Sequence, residues 1–88
     1  MKNITTAFSN LSRVKLLACL SEGPKNVTEL IGNCGLSQSA VSQHLAKLRD
    51  QGIVKTTREG REIIYKLKIK KAGKISKEIV ILVNSLSS

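Results

Sequence analysis

The stretch GLSQSAVSQHLAKLRDQGIV, residues 35–54, decides the fold expected for this chain. Its apolar side chains recur at helical spacing and form one stripe. These residues are Ala40, Val41, Leu45 and Leu48. The other positions of the first two turns carry short hydroxyl and amide groups, and Gly52 ends the pattern. We predict a helix over residues 37–51 with one buried face and one small polar face.

The residues before this helix predict a second helix and a tight turn. A helix beginning near residue 27 would place Leu30 and Ile31 toward the core. It would stop at Asn-Cys-Gly, where Gly35 tolerates a positive φ. Ser37 would then cap the next helix through its hydroxyl. Residues 27–51 therefore predict a helix–turn–helix.

Two further helices are expected toward the N-terminus. Residues 2–9 predict a short first helix with Ile4, Ala7 and Phe8 on its apolar side. Ser12 is the predicted N-cap of a second helix, which is apolar on most of its surface and ends at Ser-Glu-Gly-Pro-Lys, residues 21–25. The second helix is therefore expected to lie at the centre of the core.

The C-terminal part predicts a hairpin followed by a last helix. Residues 53–67 are rich in Ile, Val, Thr and Tyr on both sides of Glu59-Gly60, with Arg58 and Arg61 beside the bend. A polar break, Lys-Lys-Ala-Gly-Lys, is expected before a helix over residues 74–86. The apolar stripe of that helix includes Ile75, Ile79, Leu82 and Leu86.

This order of elements predicts one domain over residues 1–88, mainly α with a small β-hairpin: a winged helix–turn–helix of five helices, with the hairpin before the last. In such a unit the second helix of the pair lies in the major groove of DNA. The candidate DNA-contacting side chains of that helix are Ser37, Gln38, Ser39, Ser42, Gln43 and, at the border, His44. A histidine in this place is as often a packing residue as a DNA contact. Lys47, Arg58 and Arg61 are the candidates for phosphate or minor-groove contacts.

The charge of the chain favours a polyanionic partner. The formal net charge is +9, and ten of the fifteen Lys and Arg residues lie between Arg49 and Lys77. Phe8 and Tyr65 are the only aromatic residues, which argues against a single-strand binder that stacks bases on several rings. Duplex DNA is the better candidate, although lysine can also serve solubility alone.

Other classes find little support in the sequence. The longest apolar run, residues 79–83, is too short to span a bilayer, and no secretory signal precedes the domain, so a cytoplasmic protein is expected. Cys19 and Cys34 are expected to be reduced and structural, although a thiol switch stays open. No phosphate-binding loop or catalytic constellation appears, so we expect no enzyme.

The stretch LSQSAVSQHLAKLRDQGIVKTTREGREIIYKL, residues 36–67, resembles the ArsR-type family of bacterial and archaeal winged-helix repressors. FSNLSRVKLLACL, residues 8–20, is similar to the family's opening helices, so the resemblance covers residues 8–67. It implies a homodimer formed through the first and last helices, which represses at palindromic operators until an inducer releases it. The implied interface residues are Ile4, Phe8, Ile75, Ile79, Leu82 and Leu86.

The chain departs from the family in its metal ligands. Many relatives bind metal, and some hold it with two cysteines one residue apart at the start of the third helix, but Asn26 and Thr28 stand at those positions here. The last helix offers no His or Asp and only Glu78. We therefore expect no metal and no other cofactor, and the sequence names no inducer.

These observations predict a sequence-specific double-stranded DNA-binding transcriptional regulator, a homodimeric repressor by resemblance. Two alternatives remain at this point. A small protein with a net charge of +9 could coat DNA without sequence preference. The winged helix could instead bind another protein, with its charge incidental.

Overall fold

The computed structural model describes residues 10–86, except for the side chain of Cys34. The described elements are α1 (Leu11–Leu20), α2 (Val27–Cys34), α3 (Gln38–Asp50), β1 (Val54–Glu59), β2 (Glu62–Leu67) and α4 (Lys70–Leu86). The strands pair antiparallel from Val54 opposite Leu67 to Glu59 opposite Glu62, which confirms the hairpin and its bend. The mainly α fold with a small hairpin is confirmed, whereas the helix expected over residues 2–9 lies outside the described part.

A single apolar cluster joins five of the six elements, and Tyr65 and Leu67 of β2 pack against it. α1 contributes three leucines, α2 one, and α3 its complete buried stripe, while the base of the hairpin and the start of α4 close the cluster. These residues are Leu16, Leu17, Leu20, Leu30, Val41, Leu45, Leu48, Ile53, Val54 and Ala72. The central place expected for the helix that ends at Leu20 is therefore confirmed. Within the described residues, no helix is long and apolar enough to cross a membrane.

The N-cap of α1 differs from the prediction. Asn10, not Ser12, caps the helix: its Oδ1 accepts hydrogen bonds from the backbone N–H groups of Ser12 at 2.8 Å and Arg13 at 3.4 Å. Asn and Ser are about equally good caps. The sequence offered two adequate choices, and the helix begins at the earlier one.

The turn between α2 and α3 agrees with the prediction. Gly35 adopts the left-handed conformation with φ of 67°, and its N–H donates to the carbonyl of Ile31 at 3.2 Å. An L side chain is disfavoured at this φ. Two residues later, the hydroxyl of Ser37 accepts from the backbone N–H of Ala40 at 3.1 Å. The turn therefore supplies a hydrogen-bond partner to one backbone group at each of the two helix ends that it joins.

α4 begins at Lys70, so the polar break predicted before residue 74 is wrong. The lysines of this segment are exposed, but Ala72 and Gly73 are buried against the rest of the domain. A β-carbon added at Gly73 would lie 2.9 Å from the Cβ and 3.2 Å from the Cα of Ser21, and would also meet the side chain of Leu67. Small residues therefore let α4 approach the end of α1.

We predict that Gly73→Ala destabilises the domain. The added methyl must displace α4, and such overpacking costs about 1–3 kcal/mol, which outweighs a helix-propensity gain of about 1 kcal/mol. Gly32→Ala is the matched control, because Gly32 lies in α2 and an added β-carbon there would meet nothing within 4 Å. Urea unfolding should show a loss of stability for Gly73→Ala and a gain for Gly32→Ala. Equal or higher stability for Gly73→Ala would contradict the close approach.

Candidate nucleic-acid interface

The buried stripe of α3 fixes which of its faces is exposed. Val41, Leu45 and Leu48 are at most 1% exposed. The polar side chains on the other side, in the first two turns, are all exposed. They are Gln38, Ser39, Ser42 and Gln43. The facing predicted from the helical period is confirmed, and this exposed set is called the polar face below.

The N-terminus of α3 can receive an anion or a polar group. Ser37 caps it and is exposed, and its hydroxyl lies 3.4 Å from that of Ser39. The first turn carries no acidic residue, while Lys47 and Arg49 lie in the last turn. The positive end of the helix dipole therefore has no carboxylate opposing it within the helix, and this favours a phosphate or another electronegative group there.

His44 lies at the border of the polar face, as the sequence predicted. Its ring is half-buried, and Nδ1 accepts a hydrogen bond from Nε of Arg13 at 3.3 Å. Burial lowers the pKa of His44 below its ordinary value of 6.5, and the positive charges of Arg13 and then Lys47 lower this pKa further. The Nδ1 edge of the His44 ring therefore bonds within the protein.

Sequence reasoning missed the role of Arg13. This side chain is only 8% exposed although it sits in the first turn of α1, where the helix dipole disfavours a cation. That unfavourable position, in a helix otherwise rich in buried leucine, was the available signal. It indicates a specific partner, but it could not identify a residue 31 positions away.

The wing is the hairpin of β1 and β2 with its exposed basic tip. Arg58 and Arg61 flank the turn, and both are exposed. Nε of Arg58 donates to the carbonyl of Gly60 at 3.4 Å, so this side chain lies along the tip. Lys47 on α3 is also exposed. All three predicted phosphate-contact candidates are therefore accessible.

Backbone hydrogen bonds hold the base of the wing. Ile53 donates to the carbonyl of Leu48 at 3.0 Å, and its own carbonyl accepts from Lys68 at 2.8 Å. The N–H of Lys25 donates to Tyr65 at 2.9 Å, and Tyr65 donates back at 2.8 Å. The wing is thereby joined both to the end of α3 and to the loop before α2. The Lys25–Tyr65 bridge was not foreseen, because single-residue strand pairing leaves no periodic pattern.

Asn26 adds a side-chain link between the wing and α2. It caps α2 in a reciprocal capping box with Glu29, and its Nδ2 donates to Oε2 of Glu62 at 3.3 Å. By the family resemblance, Asn26 stands at one of the two positions where some metal-binding members carry cysteine. Among the described residues, no group of three or more His, Cys, Asp or Glu is placed to hold a metal ion.

Cys19 corrects one expectation. It is disulfide-bonded in the structure, so the prediction of a reduced thiol at this position is wrong. The side chain is half-buried and packs against the apolar cluster, as expected for a residue of α1. The sequence favoured reduced cysteines because no secretory signal was found. The cellular compartment alone cannot predict which side chains come close together in the fold.

The implied dimer residues of α4 lie largely on its outer side. Ile75, Leu82 and Leu86 are 41%, 58% and 78% exposed, and Ile79 is half-buried. The buried face of α4 instead carries Ala72, Gly73 and Ser76. The other two implied interface residues, Ile4 and Phe8, lie outside the described part of the chain.

Known proteins resemble this chain in sequence and in fold. The family model "Bacterial regulatory protein, arsR family" matches residues 11–56, more than half of the chain. Transcriptional activator HlyU of Vibrio cholerae is 43% identical over 61 residues, which are 69% of this chain and 56% of that protein.

Two solved structures show the same fold. A predicted DNA-binding transcriptional regulator from E. coli superposes with a TM-score of 0.77 at 34% identity, over 90% of this chain and 84% of that one. The transcriptional repressor BigR from Xylella fastidiosa superposes with a TM-score of 0.75 at 33% identity, over 90% of this chain and 80% of that one. The chain spans 64%, 56% and 51% of three curated relatives to which it is similar. With its winged helix–turn–helix and this match, the chain belongs to the arsR family of bacterial regulatory proteins.

Proposed function

We propose that the chain is a sequence-specific double-stranded DNA-binding transcriptional regulator and not an enzyme. The observation that carries the proposal is the uncharged, exposed polar face on the first two turns of α3. A surface helix that needed only solubility would more often carry Lys and Glu at these positions. Such groups can both donate to and accept from the edges of base pairs.

α3 is the proposed recognition helix in the major groove. The groove of B-DNA is about 12 Å wide and admits one helix, so short side chains let the backbone come close. Base edges would be read by the polar face, together with Ser37 and the border residue His44. Lys47, Arg58 and Arg61 would contact phosphates or the minor groove. The amides at the start of α3 would add a further phosphate contact.

We propose that the regulator acts as a homodimer. Ile75, Leu82 and Leu86 form an apolar row on one side of α4 that the domain itself leaves exposed. An isologous contact through this row, completed by Ile79, Ile4 and Phe8, would bury it. A two-fold axis would set two α3 helices one DNA turn apart, about 34 Å, and would match a palindromic operator.

Repression is the simpler of the two regulatory modes. A dimer that occupies an operator blocks other proteins by its presence alone, whereas activation requires an additional contact with the transcription machinery. Relatives named above include an activator as well as a repressor, so this assignment remains our proposal. Because the target is chromosomal DNA, we also place the protein in the cytoplasm.

The reading role of the polar face predicts a loss of selectivity in Gln38→Ala/Ser39→Ala. A preferred site is first obtained by selection from genomic fragments. The double variant should then bind that site about 10- to 100-fold more weakly, because a lost base contact costs about 1–3 kcal/mol. Its affinity for random duplex should change little. An equal loss on both duplexes would contradict the reading role.

Arg61→Ala tests the wing separately. It should weaken binding to the preferred site and to random duplex alike, and it should lower the slope of log K against log salt by about 1. Lys77→Ala removes the same charge from α4 and serves as the control. An unchanged salt slope in Arg61→Ala would contradict phosphate contact by the wing. Failure to enrich any site would favour a DNA-coating protein, and failure to bind any duplex at low salt would favour a protein-interaction module.

Leu82→Lys tests the dimer. A lysine at an isologous contact meets its own copy on a protein of net charge +9, so it should shift the mass in sedimentation to that of a monomer. Binding to the preferred site should weaken in parallel. Ile63→Lys is the control, because Ile63 is 49% exposed but lies on the wing. A Leu82→Lys protein that stays dimeric would contradict the interface.

A further inference from the structure

The Arg13–His44 hydrogen bond links α1 directly to the proposed recognition helix. α1 and α3 are not among the pairs of elements whose backbones pack closely, so the long side chain of Arg13 spans the gap. Nε of Arg13 donates to Nδ1 of His44 at 3.3 Å in a partly buried position. The same arginine is tied to the cap of α1, because its backbone N–H donates to Oδ1 of Asn10 at 3.4 Å.

The chemistry of the two groups fixes the state of the histidine. A guanidinium group only donates hydrogen bonds and keeps its charge in proteins. Nδ1 of His44 must therefore present its lone pair, so the ring is neutral and carries its hydrogen on Nε2. Protonation would place an N–H at Nδ1 directly against the donor of Arg13 and would remove the bond.

His44 occupies a position from which it can control the rotation of α3. It follows Gln43 of the polar face and lies beside the buried stripe, next to Leu45. A rotation of about 20° moves a side-chain tip about 6 Å from the helix axis by roughly 2 Å. Hydrogen bonds to base edges tolerate only a few tenths of an ångström. A small rotation of α3 would therefore weaken the discrimination between DNA sequences before it weakened the electrostatic attraction to DNA.

We propose that His44 is a positioning residue: in its neutral form it holds Arg13 and thereby fixes the rotation of α3 that aims the polar face at the bases. This inference rests on the proposed function as a sequence-specific DNA binder. It assigns His44 a role within the protein, whatever its outer edge contacts.

The surroundings of His44 make this role dependent on pH. Arg13 faces the ring from α1 and Lys47 from its own helix, and both are cations. Burial, then Arg13 and then Lys47 lower the pKa of His44. The stability that the bond contributes is therefore complete above the ordinary pKa of 6.5 and is lost as pH falls through the lower value in the folded protein. Protonation of His44 therefore favours the form of the protein in which the Arg13–His44 hydrogen bond is broken.

The sign of the effect on DNA binding separates this role from a simple charge effect. A histidine that only sits beside phosphates gains charge on acidification, and affinity for any duplex rises. A positioning histidine loses its bond, so affinity for the preferred site falls relative to random duplex. The chain has one histidine, and unperturbed side chains of other types do not change charge between about pH 5 and pH 7.

The experiment measures affinity for the preferred site and for random duplex from about pH 7 to about pH 5 at constant ionic strength. The ratio of the two affinities should fall on acidification in the unsubstituted protein. A ratio that stays constant or rises would overturn the proposal. This arm needs no substitution, so it does not depend on whether a variant folds.

Two substitutions sharpen the test. His44→Asn keeps an acceptor near the position of Nδ1 without titrating, so it should retain most of the selectivity and remove its dependence on pH. His44→Ala should lower the selectivity about tenfold already at neutral pH, the loss expected for one hydrogen bond to a charged group. Full selectivity in a folded His44→Ala protein would contradict both the positioning role and the base contact proposed for His44, and would leave the reading role of the polar face standing. Absence of any preferred site for the unsubstituted protein would contradict the proposed function, and this inference with it.

Discussion

The arrangement of the molecule depends on the docking of one face of α3 into the apolar cluster. Val41, Leu45 and Leu48 together supply about 5–9 kcal/mol of burial, at about 1.5–3 kcal/mol for each side chain. That energy decides which residues of α3 face the core and which face outward. The Arg13–His44 contact would, as proposed, set only the smaller rotation within this arrangement. The polar face is thus a consequence of core packing. A substitution in the buried stripe of α3 would therefore misplace the polar face without changing any residue of that face.

The helical period was enough to predict this docking because α3 is amphipathic along its whole length. Local rules failed where two choices were equivalent or where the partner lay far away in sequence. Asn10 and Ser12 could both cap α1, and the lysines at the start of α4 masked the small residues that pack there. The Arg13–His44 bond joins residues 31 positions apart, and no periodicity encodes such a pair.

α4 shows why a wide apolar helix is ambiguous from its sequence alone. For the large residues Ile75, Leu82 and Leu86, packing within the domain was the alternative to the expected dimer contact. The domain instead receives Gly73 and Ser76. At Gly73, Ser21 and Leu67 leave no room for a β-carbon. Ser76 is fully buried, and its hydroxyl has no hydrogen-bond partner among the described residues. Close approach thus outweighs hydrogen bonding at this contact, and the large side chains are left for another surface.

Affinity and selectivity would then be assigned to different parts of the protein. The exposed positions of the first two turns of α3 carry no charge apart from what the helix end supplies, while the arginines stand on the wing tip. Phosphate attraction is indifferent to sequence. Placing the arginines on the wing therefore leaves the first two turns of α3 with only the phosphate contact of the helix end. The reading surface in turn depends on orientation, because neutral hydrogen bonds are short and directional. A protein built this way needs a rigid seat for α3 more than it needs further charge, and a buried arginine that bridges two helices is consistent with that need.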